Sequence, residues 1–343
     1  MFHGKTTGVG IALHASALEA VHVPGGKADA LKDAQVARLP LPADVYDNGL
    51  VKDVDRFASQ LQQLFRQYGW PRQRVTLALP SAVTVIRPLM APNLKKPKLG
   101  TVIQYQLGKA IALPFSNAVF DIAYLPDTLE VVSERIVHGK HTQTVPVLLV
   151  AAAGELIQGL QHAFQQADLG LSVVEVKGVS ILRALRALHQ QPMRPTIMLE
   201  FGVDRVEVHY FQAGALLFTR TLDVTPEKYG GSEGDWMSLE KQETSDGLER
   251  MFDHLIQQVE RLMTFFQHML HPHQREEIRA LWVTGVVPEP ERFQYFLRHR
   301  LENLEIRHIS FPVFCLTSQE TASRKCSLSA IGTALSGGTE DAD

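Results

Sequence analysis

The sequence predicts an α/β protein made of two lobes that repeat one design. A strand, a tight turn and a second strand open the chain at residues 9–23, and the same pattern returns at residues 196–224. An internal repeat of this kind indicates a duplicated fold. The chain of 343 residues is also longer than one hydrophobic core usually organises, which favours two or more domains.

The first lobe is predicted at residues 8–81 and 177–192. After the opening hairpin, Asp53 is a candidate cap for a helix whose apolar residues recur at steps of three and four. Gly69 suits the left-handed residue that ends a helix, and Pro71 blocks its continuation. A short apolar strand at residues 74–80 follows and ends at a proline.

The middle of the chain, residues 82–176, predicts an inserted α+β subdomain. Its helices show one apolar face, and its strands are short apolar runs between turn residues. The order is strand, helix, strand, strand, helix, strand, at 83–92, 96–113, 118–126, 145–153, 155–170 and 172–176.

The second lobe is predicted at residues 193–335. Three strand-like pieces surround turns at Gly202 and Gly214, and a polar, glycine-rich linker leads to the most regular amphipathic helix of the chain. A strand, a helix, a strand and a short helix complete the lobe, at 278–287, 291–301, 304–310 and 328–335. The small, acidic tail at 336–343 is predicted to be disordered.

The composition excludes several functional classes. The net charge is −3, and 45% of the residues are hydrophobic, as in an ordinary globular protein. Because the chain has no basic block, no nucleic acid partner is expected. The longest apolar run, residues 147–153, is far too short to cross a bilayer, so no direct membrane insertion is expected.

Two features predict a cytoplasmic location. The N-terminus lacks the apolar core of a signal peptide. The two cysteines, Cys315 and Cys326, fit neither a disulfide framework nor the spacing of a metal site. A reducing compartment is the simplest location for such a chain.

Seven segments, taken in their order and spacing, resemble the PilM family of type IV pilus assembly proteins. That family shares an actin-like fold with the cell-division protein FtsA. The segments are 1–16, 75–92, 111–126, 147–152, 174–185, 199–220 and 281–301. The resemblance covers roughly residues 5–335 and implies an actin-like, two-lobed ATPase fold with an inserted α+β subdomain and a reduced second lobe.

The first turn of the family reads Gly-Ile-Asp-Ile-Gly-Ser, where the Asp helps to hold magnesium and the second Gly lets backbone N–H groups approach phosphate. Gly10 is retained in this chain, but Ala12 stands at the position of the Asp and His14 at that of the second Gly. Ser16 remains as a nearby hydroxyl donor.

The second turn keeps Gly202, but Glu200 stands at the Asp position and Asp204 adds a negative charge where phosphate is expected to bind. The turn on the nucleoside side keeps Thr284 and Gly285, followed by two valines, Val286 and Val287, instead of glycines.

The resemblance therefore implies a vestigial nucleotide site, with no catalytic residue, no metal ion and no cofactor. Hydrolysis of ATP is not expected. The residues that remain of the vestigial nucleotide site are Gly10, Ser16, Gly202, Thr284 and Gly285.

The function implied by the resemblance is that of a cytoplasmic bacterial scaffold in the assembly of a type IV pilus, or of a related pilus or secretion system, recruited to the inner membrane by a partner. PilM proteins bind the short cytoplasmic tail of the bitopic membrane protein PilN in a groove beside the inserted subdomain, and link it to the pilus motor ATPases. The resemblance identifies no groove residues.

Two other classes stay open at the level of sequence. One is an active ATP-binding, actin-like ATPase or a kinase-like enzyme, which needs a carboxylate for magnesium and a catalytic base in the cleft. The other is a membrane-binding filament former, which needs a C-terminal amphipathic helix that residues 336–343 do not provide.

Three further patterns have ordinary interpretations. The histidines at 268–273 suggest a metal site, but without a fourth ligand a solvated helix end is favoured. Trp236 is either a partner anchor or a plug of the second lobe, and the plug is favoured. Three lysines, Lys95, Lys96 and Lys98, meet acidic lipid, an acidic partner or only solvent, and solvent is favoured.

Overall fold

The computed structural model describes residues 8–47, 49–72, 74–115, 117–129, 143–232, 234–241, 246–269, 277–310 and 326–335. The predicted disordered tail at 336–343 and Cys315 lie outside the described residues. The same is true of the side chains in the predicted histidine cluster at 268–273.

The described part of the chain contains fifteen strands and seven α-helices. The strands are β1 (Val9–Leu13), β2 (Ala17–His22), β3 (Gln35–Pro40), β4 (Tyr46–Asp47), β5 (Leu50–Val51), β6 (Val75–Leu79), β7 (Thr84–Pro92), β8 (Ala118–Tyr124), β9 (Thr144–Ala153), β10 (Leu171–Val176), β11 (Thr196–Phe201), β12 (Val206–Gln212), β13 (Ala215–Leu222), β14 (Ala280–Gly285) and β15 (Glu305–Ile309). The helices are α1 (Val54–Tyr68), α2 (Lys96–Gln106), α3 (Gly154–Gln166), α4 (Lys177–Ala187), α5 (Asp246–Met269), α6 (Pro290–Arg300) and α7 (Leu328–Ala334).

Two five-stranded sheets have the same topology. The first sheet has the order β3-β2-β1-β6-β10, and the second has the order β13-β12-β11-β14-β15. In each sheet the first three strands form an antiparallel meander, and the last two lie parallel to the central strand. The predicted duplication into two α/β lobes is therefore confirmed.

Helix α1 covers the first sheet and has the ends that the sequence predicts. The Asp53 carboxylate accepts a hydrogen bond from the backbone N–H of Arg56 at 2.9 Å, which caps the first turn. Gly69 follows the last turn with φ at +63°, a conformation that favours glycine. Phe57, Leu61 and Phe65 point from this helix into the core of the first lobe.

The inserted segment contains an antiparallel sheet of its own, in the order β7-β9-β8. Helix α2 packs on this sheet through Leu99 and Ile103, both fully buried. The predicted insert extends to residue 176, but the structure places its last helix and strand in the first lobe. Strand β10 lies parallel to β6, and α3 packs its apolar face against α1.

Helices α4 and α7 lie between the two sheets. The backbones pass close together, because a Cβ atom on Gly332 of α7 would lie only 1.8 Å from the carbonyl oxygen of Ser180 on α4. Residues from both lobes pack around this helix pair, including Val21 from the first sheet and Met198 and Phe211 from the second. This pair forms the apolar core of the interface between the lobes.

The second lobe is closed by α5 and α6. Phe252 of α5 packs against Phe293 of α6 with ring centroids 4.6 Å apart, and Tyr210 stacks on Phe266 at 4.3 Å. Among the described residues, we find no helix with both the length and the apolar character that a membrane span requires.

Candidate functional site

Two matching turns face each other between the lobes. The first turn, residues 14–17, joins β1 to β2, and the second turn, residues 202–205, joins β11 to β12. A hydrogen bond closes each turn, from the N–H of its first residue to the carbonyl of its last, at 2.8 Å in the first turn and 2.9 Å in the second. Positions in the two turns therefore correspond one to one.

The third residues of the two turns, Ser16 and Asp204, bind each other directly. The backbone N–H and the hydroxyl of Ser16 both donate to one carboxylate oxygen of Asp204, at 2.5 and 2.7 Å. Asp204 is only 8% exposed. A backbone N–H beside a hydroxyl is a donor set suited to an anionic oxygen. In this chain the oxygen that these donors bind belongs to the opposite lobe.

The first residues of the turns, His14 and Gly202, are also in contact. A Cβ atom on Gly202 would lie 2.9 Å from the His14 imidazole, so the ring takes the space beside the glycine. Burial lowers the pKa of His14 well below its usual value, and the positive charges of Lys177 and Arg38 lower it further. The imidazole is therefore neutral near pH 7.

Lys177 and Glu207 form a buried ion pair beside the two turns. Lys177 Nζ lies 2.6 Å from a carboxylate oxygen of Glu207 and 3.1 Å from Nδ1 of His14. Burial alone would lower the pKa of the lysine, but the negative charges of Glu207 and Glu200 outweigh it and raise the pKa. Burial alone would raise the pKa of Glu207, but Lys177 outweighs it and lowers the pKa. Both groups are charged at neutral pH.

Glu207 has a counterpart in the first lobe, Glu19. Glu19 pairs with Ala12 across the first hairpin, as Glu207 pairs with Glu200 across the second. The carboxylate of Glu19 accepts hydrogen bonds from the N–H and the hydroxyl of Ser327, the capping residue of α7. Glu207 binds Lys177, the first residue of α4.

Two contacts, which we call the Glu19 brace (Glu19 with Ser327) and the Glu207 brace (Glu207 with Lys177), link the two lobes crosswise. A carboxylate of the first lobe holds the start of α7, which follows the strands of the second lobe, and a carboxylate of the second lobe holds the start of α4, which follows the first. The other oxygen of Glu19 accepts from Arg38 at 2.8 Å, and the other oxygen of Glu207 accepts from the N–H of Ser81 at 2.8 Å. Each brace is thus extended by a further hydrogen bond.

The two positions at which the resemblance implies an Asp, Ala12 and Glu200, have other roles. Ala12 is fully buried in the core between the lobes. Glu200 accepts a hydrogen bond from the N–H of Ser329 in the first turn of α7, at 2.8 Å. Within the part of the chain that the structure describes, no cluster of three or more histidine, cysteine, aspartate or glutamate side chains is placed to hold a metal ion.

The structure brings together only some of the predicted nucleotide residues. Ser16 and Gly202 meet at the two turns, as described above. Gly10 lies against α7 instead, where a Cβ atom would be 2.2 Å from the backbone nitrogen of Ala334. It therefore serves the close packing of a helix on the first sheet.

Thr284 and Gly285 end β14 next to the strand that leads into the second turn. Gly285 has φ at +90°, and a Cβ atom there would lie 2.0 Å from the carbonyl oxygen of Phe201. The N–H of Val286 donates to the same carbonyl at 2.9 Å. Val286 and Val287 are buried in the core of the second lobe, so this turn is held by apolar packing.

Trp236 lies beneath the second turn. It is only 1% exposed, its indole N–H donates to the carbonyl of Gly202 at 2.9 Å, and its ring packs edge-on against Phe201. These contacts fit the plug that the sequence favours and leave no exposed anchor for a partner.

A second candidate site is an apolar groove between β8 of the inserted segment and β10 of the first lobe. Both are edge strands, and within the described residues neither has a pairing partner on its outer side. Val119 of β8 is 48% exposed and Val173 of β10 is 44% exposed. The groove also contains Asp121, while Glu175 on its other side is bound by Arg183 at 2.7 Å.

Two sheets of one topology, joined by facing turns, define the actin-like class of two-lobed α/β proteins, as the sequence predicts. The family model of the type IV pilus assembly protein PilM matches residues 10–235, about two thirds of the chain. The chain belongs to this family. Among curated proteins, no sequence matches it at a significant level.

One solved structure with a high TM-score has the same fold. The chain is similar to a PilM–PilN type IV pilus biogenesis complex, with a TM-score of 0.74 and 19% identity over 97% of this chain and 99% of that one. It also matches the cytoplasmic domain of EpsL, from the type II secretion system of Vibrio cholerae, at 10% identity over 95% of this chain and 93% of that one. The TM-score of that second match is 0.44.

Proposed function

We propose that this protein is a cytoplasmic scaffold that binds the cytoplasmic tail of a PilN-like membrane protein in the groove between β8 and β10. The observation that carries the proposal is the presence of two edge strands, one from each side, along a single apolar groove. An extended peptide pairs with such an edge through its backbone, and pockets between alternate side chains select its sequence.

The comparison with known proteins supports the same partner. The structure with a TM-score of 0.74 is a complex of PilM with PilN, and the chain belongs to the PilM family. We infer by analogy that the tail of a PilN-like protein recruits this chain to the inner membrane, and that the assembly is linked from there to the pilus motor ATPases.

Calorimetry with a peptide from the N-terminus of a co-encoded single-span membrane protein tests the proposal. An extended peptide loses roughly 1–2 kcal/mol of backbone entropy per ordered residue, so we expect micromolar affinity. The variants Val119→Asp and Val173→Asp place a charge in the groove and should abolish binding. Tyr295→Asp changes a side chain on α6 that is 63% exposed and serves as the control.

The groove proposal would be overturned if both groove variants bound the peptide as the wild type does. Failure of the wild type to bind any co-encoded tail would overturn the scaffold function itself. Thermal unfolding of each variant shows that a loss of binding is not a loss of folding.

We further propose that the cleft between the turns neither binds nor hydrolyses ATP. Asp204 takes the donors of Ser16 and brings a negative charge to the place where phosphate would bind. The alternative is an active actin-like ATPase or kinase-like enzyme. A ligand at one hundred times its Kd stabilises a fold by roughly 2.7 kcal/mol. We therefore expect no shift in Tm with millimolar Mg-ATP, and a clear shift, or ATP retained through purification, would favour the enzyme.

A further inference from the structure

One stretch of the sequence is free of negative side chains. The whole chain contains 37 Asp and Glu among 343 residues, yet none lies between Asp55 and Asp121. The same stretch carries nine Arg and Lys residues. Although the protein as a whole is slightly acidic, the formal charges of this stretch are all positive, and they are spread along it and do not form one block.

The lysines of this region are concentrated at the start of α2. Lys95, Lys96 and Lys98 are all exposed, and the first turn of the helix contains no acidic residue. The N-terminus of a helix is the positive end of its dipole, so positive side chains there do not stabilise the helix. Their placement therefore needs another explanation than helix stability.

An exposed aromatic side chain lies on the same helix. Lys98, Thr101 and Tyr105 follow at steps of three and four residues, which places them on one exposed face. Tyr105 is 67% exposed, and Lys109 Nζ lies 3.3 Å from the centroid of its ring. We call the exposed side chains of this region, Lys95, Lys96, Lys98, Tyr105 and Lys109, the basic face. Lys96 lies on the side toward β8, where it pairs with Asp121.

The basic face borders the groove between β8 and β10. Lys96 Nζ lies 3.0 Å from the carboxylate of Asp121, which lines the groove. The hydroxyl of Tyr124 on β8 donates to the carbonyl of Leu94, 2.5 Å away, and fixes the segment that precedes the lysines. A peptide in the groove therefore lies beside the basic face.

We propose that the basic face docks on the anionic lipid headgroups of the membrane in which the partner is anchored. This inference rests on the proposed function, because a tail bound in the groove leads directly to that membrane. Lysines attract anionic lipids, and tyrosine is enriched at the level of the lipid headgroups. The lysines are spread over an exposed surface and do not line a cavity. Such an arrangement suits the extended surface of a membrane better than a single acidic side chain of a protein partner.

Each lysine near an anionic bilayer strengthens binding by about fivefold. A cluster of this size gives only weak, salt-sensitive binding by itself. Added to the binding of the tail, however, it raises the total retention at the membrane without any new contact in the groove. The basic face thus supplies the second of two weak membrane signals.

Sedimentation of the full-length protein with vesicles tests this proposal. We expect binding to phosphatidylcholine vesicles that contain about 30% phosphatidylserine at low salt, and none to pure phosphatidylcholine. The triple variant K95Q/K96Q/K98Q should bind at least about tenfold more weakly. The control K27Q/K32Q/K241Q removes three exposed lysines elsewhere, has the same net charge, and should bind as the wild type does.

Equal loss in the two triple variants would overturn the proposal, because net charge and not the basic face would then control binding. Absence of wild-type binding to phosphatidylserine vesicles at low salt would also overturn it. A basic face that binds polyglutamate but not these vesicles would identify a protein-docking surface instead. Calorimetry of K95Q/K98Q with the tail peptide separates the two proposals. This variant leaves the Lys96–Asp121 pair at the groove in place, so binding of the peptide should be retained whatever the vesicles show.

Discussion

The first turn and the second turn hold matching positions in the two lobes, yet their chemistry is opposite. Both have four residues and the same closing hydrogen bond. The third residue of the first turn, Ser16, offers two donors, whereas the third residue of the second turn, Asp204, offers an acceptor. The two turns share one backbone frame, while their side chains differ in such a way that each turn satisfies the other.

The carboxylates behind the turns show the opposite trend. Glu19 and Glu207 stand at the same distance from their turns, and both hold the first turn of a helix between the lobes. The turns are complementary, but the two carboxylates have similar roles. The comparison therefore separates two roles in the interface: the braces support the duplicated fold, and the Ser16–Asp204 contact closes the space between its halves.

The largest expected effect is a loss of stability when either brace is cut. Its size should differ between the braces because Lys177 is buried, whereas Arg38 is partly exposed. Glu207→Gln leaves Lys177, which is 2% exposed, without its charge partner and should reduce the free energy of unfolding by about 3–5 kcal/mol. Glu19→Gln should have a smaller effect, about 1–3 kcal/mol, because the side chain of Arg38 is 24% exposed and can turn to water. Urea denaturation of both variants measures the difference.

A double variant is the control for the Glu207 brace. Lys177→Met with Glu207→Leu removes both charges, so it should be more stable than Glu207→Gln alone. An effect of Glu19→Gln equal to or greater than that of Glu207→Gln would contradict the ranking of the two braces.

The second prediction exchanges the chemistry of the turns. Asp204→Ala removes two charge-assisted hydrogen bonds and should destabilise the fold by about 2–3 kcal/mol, while Ser16→Ala leaves the backbone N–H donor in place and should cost only about 1 kcal/mol. If the two turns are equivalent frames, the swapped variant S16D/D204S should be more stable than the double variant S16A/D204A. Equal stability of these two double variants, measured by urea denaturation, would show that the frames are not interchangeable.

The sequence predicted the duplicated lobes and the ends of α1 because these signals are local. Asp53 and Gly69 each act within a few residues of their own position. The two hairpins are likewise visible as repeated runs of apolar residues around small turn residues.

The braces were missed because each joins residues that are distant in the chain. Lys177 and Glu207 are 30 residues apart, and Glu19 and Ser327 are 308 apart. One signal was present, since Glu19 follows Ala12 and Glu207 follows Glu200 by the same interval, within largely apolar strands. The sequence also did not predict that β10 belongs to the first sheet, because the residues of a short apolar strand do not indicate which strand it pairs with.

The third prediction uses the buried imidazole of the first turn, which has no counterpart in the second. The folded protein keeps His14 neutral, while in the unfolded chain the ring takes up a proton below its usual pKa of 6.5. The unfolded state then binds more protons, so stability falls as the pH falls below 6.5, by at most about 1.4 kcal/mol per pH unit. Between pH 6.5 and pH 5 the loss should reach about 2 kcal/mol.

Chemical denaturation at several pH values measures this loss. His14→Gln should remove this part of the pH dependence, whereas His162→Gln, a change at an exposed position on α3, should leave it in place. An unchanged slope in His14→Gln would mean that the first turn does not contribute to acid sensitivity.

The smallest effect is expected at the point where the first residues of the turns touch. Gly202→Ala places a methyl group 2.9 Å from the His14 imidazole, and a small shift of the ring should limit the loss to about 1 kcal/mol. Of the residues that the structure describes, only His14 has side-chain atoms within 3.2 Å of the added methyl group. His14→Ala should therefore leave space for that group, so the stability losses of the two single variants should not add in the double variant. A coupling energy near zero in the double-mutant cycle would mean that the turns do not press on each other. The tail peptide should bind all three variants with unchanged affinity, since the groove between β8 and β10 contains neither residue.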